Sequence, residues 1–193
     1  MIIMMDKQRI RSRFAKAASN YQSAAIAQYE IAKKMIRLMQ ENIQLRPQKV
    51  LEIGCGTGLF SRLILQHIKP KKMVLNDICP EMMPEVMDIL TSSHTFICAD
   101  AETYAFPKDI NLIASCSTIQ WFNNPRAFFE SCYGSLPDSG ILAFSTFGHD
   151  NMHEINATAH VGLTYRSKSE LIAELLALNY KILVAQEEHL KLH

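Results

Sequence analysis

Glu52, Gly54, Gly56 and Gly58 occupy alternate positions in VLEIGCGTGLFS, residues 50–61, where an apolar strand hands over to a helix. Glycines at these positions give up side chains and add to the entropy lost on folding, so something should approach the backbone closely there. A carboxylate beside such a loop is ill-suited to a phosphate and well suited to an ammonium group. The dinucleotide pattern G-x-G-x-x-G would need its third glycine at Leu59, which argues against a pyrophosphate. Asp77 ends the next strand pattern, where a carboxylate can accept both hydroxyls of a ribose. Asp100 follows the third strand in CADAE, and Ser115 and Cys116 close the fourth in ASCSTIQWF. A helix cap or a solvated loop is the plainer role for any one acid. Polar groups at successive strand ends, in this order, point instead to one shared site.

These residues need a frame that brings strand ends together. Strands are expected at 49–53, 73–77, 95–99, 110–116 and 140–147. Helices are expected at 58–68, 80–90 (with Pro84 in its first turn or kinking it), 125–136 and 168–178. The last of these opens on a Ser167/Glu170 capping box. Alternation of this kind predicts an α/β fold, a doubly wound, Rossmann-like parallel sheet covered on both faces. Its ligands bind at the carboxyl ends of the strands, where strand order reverses. Residues 180–192 read as a final strand or hairpin. Residues 1–46 form an N-terminal helical extension or lid, with helices over residues 6–18 and 24–42, and residues 47–193 form one compact ligand-binding unit. On the second helix Ile31, Met35, Leu38 and Met39 share a face.

The chain has 193 residues and a formal net charge of +1, too little overall field for a nucleic-acid binder. That charge is unevenly spread: residues 1–46 carry nine Lys/Arg against three Asp/Glu, and the remainder is acidic. The N-terminal segment therefore suits an acidic partner, or is simply a solvated helix face. Five dispersed cysteines give neither metal-ligand spacing nor a disulfide framework. With no membrane span or signal peptide in the pattern, a cytoplasmic protein is expected. Met4 and Met5 are alternative starts.

The E-x-G-x-G-x-G form resembles the glycine loop of the class I S-adenosylmethionine-dependent methyltransferases. On that resemblance Gly54, Cys55 and Gly56 abut the methionyl part of the cofactor. Glu52 helps to hold its amino group, directly or through water. Asp77, with Ile78 beside it, takes the ribose, Asp100 receives the adenine amino group, and Ala101 offers backbone contacts. Ser115 and Cys116 face the methionyl end. The [N/D]-P-P-[Y/F] motif of base methylation is replaced by Ser117-Thr118-Ile119-Gln120-Trp121, so a nucleobase amine is not the expected acceptor.

RFAKAASNYQSAAIAQ, VLEIGCGTGLFS, ADAE, IQWFNNP and LAFSTFG together resemble the biotin-pathway malonyl-acyl-carrier-protein O-methyltransferases, over almost the whole chain from about Ile10. The resemblance implies methylation of the free carboxylate of malonyl-acyl carrier protein, which caps its negative end for elongation towards pimelate. Such a carboxylate is already ionised at neutral pH and needs no general base. No catalytic nucleophile or metal is therefore expected. Tyr21 and Gln28 would close over the cofactor, Gln120 and Trp121 would shape the acceptor pocket, and Arg166 would offset the acceptor's charge. Trp121 could equally be a core or lid aromatic, and Arg166 a surface residue. Arg9, Arg13, Lys33, Lys34 and Arg37 would dock the acidic carrier. Related enzymes continue beyond the point matching EEHLKLH with further helices and a final antiparallel strand, so C-terminal elements are expected to be missing. Two alternatives stay open: a methyltransferase for another small carboxylic acid or metabolite, and a truncated cofactor-binding protein without turnover.

Overall fold

A computed structural model describes Lys7 and residues 22–44, 46–148 and 165–189, with the side chains of residues 22–25 excluded. Apart from Lys7, the expected first helix lies outside the described residues, as do Tyr21, Arg9 and Arg13. Five strands form a single parallel sheet in the order β3-β2-β1-β4-β5. They are β1 (Lys49–Ile53), β2 (Lys72–Asp77), β3 (His94–Cys98), β4 (Leu112–Cys116) and β5 (Ile141–Ser145). Strand order reverses between β1 and β4, with Ile53 paired in register with Ser115. This is the crevice where a doubly wound sheet takes its ligand.

Central strands of such a sheet are covered on both faces and so need apolar residues throughout. Val50, Leu51 and Ile53 of β1 and Leu112, Ile113 and Ala114 of β4 are all buried. One face carries α1 (Gln22–Asn42) and α2 (Leu59–Leu63). Helix α1 buries Ala32, Met35, Ile36 and Met39 at helical spacing, while Ile31 and Leu38 of the expected stripe are half-buried. Helix α2 widens into a π turn over Ile64–Ile68 and stops at Lys69, whose φ is 54°. The opposite face carries α3 (Pro125–Ser135) and α4 (Lys168–Ala177). Phe128 and Phe129 of α3 are fully buried there with Leu51, Ile53 and Ile113. Each contributes about 1.5–3 kcal/mol by leaving water.

Local chemistry sets the helix ends. The Asn124 side chain accepts the Ala127 amide before Pro125 opens α3. The expected capping box at Ser167 and Glu170 is present at α4.

Two expected elements differ. Residues 80–90 form not one α-helix but two 3-10 turns, Pro80–Met82 and Pro84–Ile89. Pro84 has no N–H to continue an α ladder. The Met83 and Val86 amides instead reach back three residues, to Pro80 and Met83. The described part of the expected last strand, residues 180–189, joins no strand of the sheet and bends at Leu183. Tyr180 turns onto α3, its hydroxyl donating to the Phe129 carbonyl at 2.8 Å and its ring 5.2 Å from that of Tyr133. Leu183 and Val184 then face solvent. Among the described residues the outer edge of β5 is unpaired, and no helix is long and apolar enough to cross a membrane.

Candidate active site at the strand tips

Gly54, Gly56 and Gly58 all have positive φ, a region that favours glycine. The space over each differs. A Cβ on Gly54 would lie 2.2 Å from Thr118 Oγ1, and one on Gly58 would lie 2.5 Å from Arg62 Nη1. A Cβ on Gly56 would meet nothing within 4 Å. The open cradle expected over the whole loop is thus at Gly56; the space over the other two is filled by the protein itself.

Asp77 shapes this cradle. It is 8% exposed, and its two oxygens accept the amides of Gly56 at 2.8 Å and Cys79 at 2.9 Å. Burial raises its carboxyl above the ordinary value, and these backbone donors offset part of the rise. Glu52 is 1% exposed on β1. Burial pushes its carboxyl up to about 8, the Ser61 hydroxyl pulls it back in part, and the Asp77 charge adds to the rise. Geometry between Glu52 and Ser61 is too poor for a hydrogen bond, since Glu52 Oε2 and Ser61 Oγ are both buried without a partner. A buried, unpartnered carboxyl oxygen on the strand that leads into an open glycine cradle fits a ligand that brings a hydrogen-bond donor and a polar sugar. The group implied by the loop, a nucleoside sulfonium with a free amino group, has that chemistry.

The remaining sequence-selected residues divide. Asp100 lies at the rim, where its Oδ2 pairs with Lys7 Nζ at 2.5 Å. Burial tends to lower the Lys7 ammonium, but Asp100 and Glu102 outweigh it and hold it above its ordinary value. Ala101 is buried beside Asp100 and Ile78 is half-buried beside Asp77. Ser115 is fully buried and its hydroxyl donates to the Ile53 carbonyl at 3.1 Å, tying β4 to β1. The Cys55 thiol is buried and burial raises it far above its ordinary value; that of Cys116 is pushed up to about 11. Burial thus disfavours the thiolate form of both. Gln28 is half-buried on α1.

Gln120 and Arg166 line one small cleft with Phe122, Thr146, Phe147 and Tyr165. Gln120 Nε2 donates to the Ser117 carbonyl at 2.6 Å, and Arg166 pairs with Glu174. Trp121 is half-buried in the 3-10 turn Ile119–Trp121 and does not line that cleft.

Several residues that shape the site were not selected from sequence. Glu102 accepts the amides of Asn123 and Asn124 and so fixes the loop before α3. The Asn76 amide group donates to the carbonyls of Ile97 and Ala99. Arg62 holds the Thr57 and Glu85 carbonyls and Asp88. Its place four residues after Gly58 was the one visible hint.

The strand order, the glycine cradle and its acids define a class I methyltransferase domain. Residues 51–144 match the family described as "Methyltransferase domain". Among solved structures, the N-methyltransferase NodS from Bradyrhizobium japonicum, in complex with S-adenosyl-L-homocysteine, superposes with TM-score 0.66. The match covers 88% of this chain and 84% of that one at 15% identity. A chain of the complex between the Haloferax volcanii Trm112 methyltransferase activator and its methyltransferase gives TM-score 0.70 at 16% identity, covering 86% and 75%. Identities this low speak for the fold alone. A malonyl-[acyl-carrier protein] O-methyltransferase of Bacteroides thetaiotaomicron is 46% identical over 95% of this chain and 70% of its own length. One from Bacteroides helcogenes is 44% identical over 95% and 75%. The chain belongs to the malonyl-[acyl-carrier protein] O-methyltransferase family. It spans only 38% of a third such relative, from Bacteroides fragilis.

Proposed function

We propose that this chain transfers a methyl group from S-adenosylmethionine to the free carboxylate of malonyl-acyl carrier protein, in the cytoplasm and in biotin synthesis. The observation that carries this reading is the open cradle at Gly56, flanked by backbone-held Asp77 and the unpartnered Glu52 carboxylate. Asp77 and Ile78 would hold the ribose, Glu52 and the Gly54–Gly56 backbone the amino-acid end, and Asp100 and Ala101 the adenine. The cofactor supplies an activated methyl group on a sulfonium.

The chain's own residues then have to bind, align and dry the acceptor. A malonyl carboxylate is ionised at neutral pH, so no proton need be removed. Alignment of the two reactants and exclusion of water supply the acceleration. The malonyl end would enter at the small cleft bounded by Gln120, Thr146, Tyr165 and Arg166. Arg166 offsets the acceptor's charge. Residues 1–46 act as a lid through Tyr21 and Gln28. Exposed Lys33 and Arg37 on α1 meet the acidic carrier, along with Lys34, Arg9 and Arg13. This contact weakens with salt.

Mass spectrometry of malonyl-acyl carrier protein after incubation with enzyme and S-adenosylmethionine tests the proposal. The expected result is the gain of one methyl group. Methylation of free malonate with the carrier-bound form untouched would replace the proposed acceptor, and cofactor binding with no acceptor methylated would refute the transferase reading.

A further inference from the structure

Gly54 and Thr118 face each other across the point where strand order reverses. Gly54 follows β1, Thr118 follows β4, and their strands are paired in register up to Ile53 and Ser115. The Thr118 side chain lies directly over Gly54. A Cβ on Gly54 would be 2.2 Å from Thr118 Oγ1, 2.4 Å from Cγ2 and 2.8 Å from Cβ, separations that no relaxed side chain tolerates. Thr118 is itself held in this position. Its hydroxyl lies 3.2 Å from the Cys116 carbonyl, to which it donates, and 3.5 Å from the Gly54 carbonyl. The residue before it, Ser117, has φ 54°, a conformation that a non-glycine residue adopts only when its surroundings impose it. The Ser117 carbonyl accepts the Gln120 amide at 2.6 Å, and the Thr118 carbonyl accepts the Trp121 N–H at 3.0 Å.

We infer that Thr118 is a positioning residue that keys the acceptor-side loop, residues 117–121, onto the cofactor loop, and that the space over Gly54 is taken by Thr118 rather than by the cofactor. This rests on the methyl-transfer reading above. Gln120, which lines the acceptor cleft, and Gly56, which forms the cradle, are then fixed relative to one another through the Gly54–Thr118 contact. The two halves of the site keep one spacing, as in-line transfer requires.

A mutant cycle separates this from the usual reason for a glycine in such a loop. Gly54→Ala, Thr118→Gly and the double variant are compared by calorimetry with S-adenosylhomocysteine and by acceptor KM. Gly54→Ala alone should weaken cofactor affinity and raise acceptor KM together. In the Thr118→Gly background the same change should have roughly tenfold less effect on both, the coupling expected of residues in contact. An equal loss of cofactor affinity from Gly54→Ala in both backgrounds overturns the inference, because the loss would then come from strain at φ 70° or from the ligand and not from Thr118. Should Gly54→Ala fail to fold, Thr118→Gly alone decides. A several-fold rise in acceptor KM, restored by Thr118→Val, supports the keying role, and an unchanged KM refutes it. If the wild type binds no cofactor, the methyl-transfer reading falls, and non-additivity of the three Tm shifts still tests the contact itself.

Discussion

The two rims of the crevice are built differently. On the cofactor side, at the ends of β1, β2 and β3, polar groups are fixed by main chain. Asp77 takes two backbone amides, the Asn76 carbonyl accepts the amides of Gly54 and Cys55, and the Asn76 side chain holds the carbonyls of Ile97 in β3 and of Ala99 just past it. On the acceptor side, beyond β4 and β5, main-chain bonds such as that from the Ser117 amide to the Ser145 carbonyl at 3.1 Å are joined by links between side chains. Thr146 Oγ1 meets Gln120 Oε1 at 3.4 Å, and Arg166 pairs with Glu174 eight residues on. β1 is buried over four of its five residues, whereas β5 is half-buried throughout. A rim held by main chain keeps its shape through sequence change, while a rim held by side chains can be retuned for a different acceptor.

The largest effect should come from Asp77→Asn. The new amide turns its NH2 towards one of the two N–H groups, of Gly56 or Cys79, and removes the charge offered to the ribose. Losing charged hydrogen bonds of this kind costs about 1.5–3 kcal/mol each, so affinity for S-adenosylhomocysteine should fall roughly hundredfold by calorimetry. An Asp77→Asn variant that binds normally would break the claim that this rim holds the cofactor.

Glu52 gives a pH test of the same rim. Its native carboxyl is raised from 4.5 to about 8, so between those values the folded protein binds more protons than the unfolded chain. Stability contributed by protonated Glu52 is therefore lost as pH rises from about 4.5 through about 8. Glu52→Gln should remove that slope. Its Tm relative to wild type should be several degrees more favourable at pH 8.5 than at pH 5, and equal differences at both would refute the burial argument.

On the acceptor rim, Arg166→Gln should raise acceptor KM about tenfold, the size of one lost charge-assisted contact, and leave cofactor affinity within twofold. A matching loss of cofactor affinity would erase the distinction between the rims. The smallest effect is expected at Lys7, whose ammonium occupies Asp100 and Glu102. A partly exposed ion pair is worth about 1 kcal/mol or less. Lys7→Met should therefore free Asp100 and tighten S-adenosylhomocysteine binding about twofold to threefold at low salt, with the difference vanishing at high salt. Weaker binding would mean that Lys7 supports the cofactor instead of competing with it.

The same division governs what the sequence made legible. Glu52, Gly56 and Asp77 stood out because backbone-built sites require glycines and acids at fixed distances from strand ends. The five strands were legible because buried parallel strands need unbroken apolar runs. Thr118 gave no signal, since its partner Gly54 is 64 residues away and the contact exists only once β1 and β4 pair. Glu102 was hidden for the same reason. YKILV carried a strand pattern, but pairing also requires an available edge, and Tyr180 is drawn onto Phe129 and Tyr133 instead. At residues 80–90 the apolar spacing was helical, and Pro84 removed the donor that a continuous helix needs.

The bond from the Gly56 amide to Asp77 is made within the chain and uses no ligand atom. The turn is consequently preorganised, and little chain ordering remains to oppose association. Its amide should exchange slowly with deuterated solvent in the free protein, at a rate that added nucleoside barely alters.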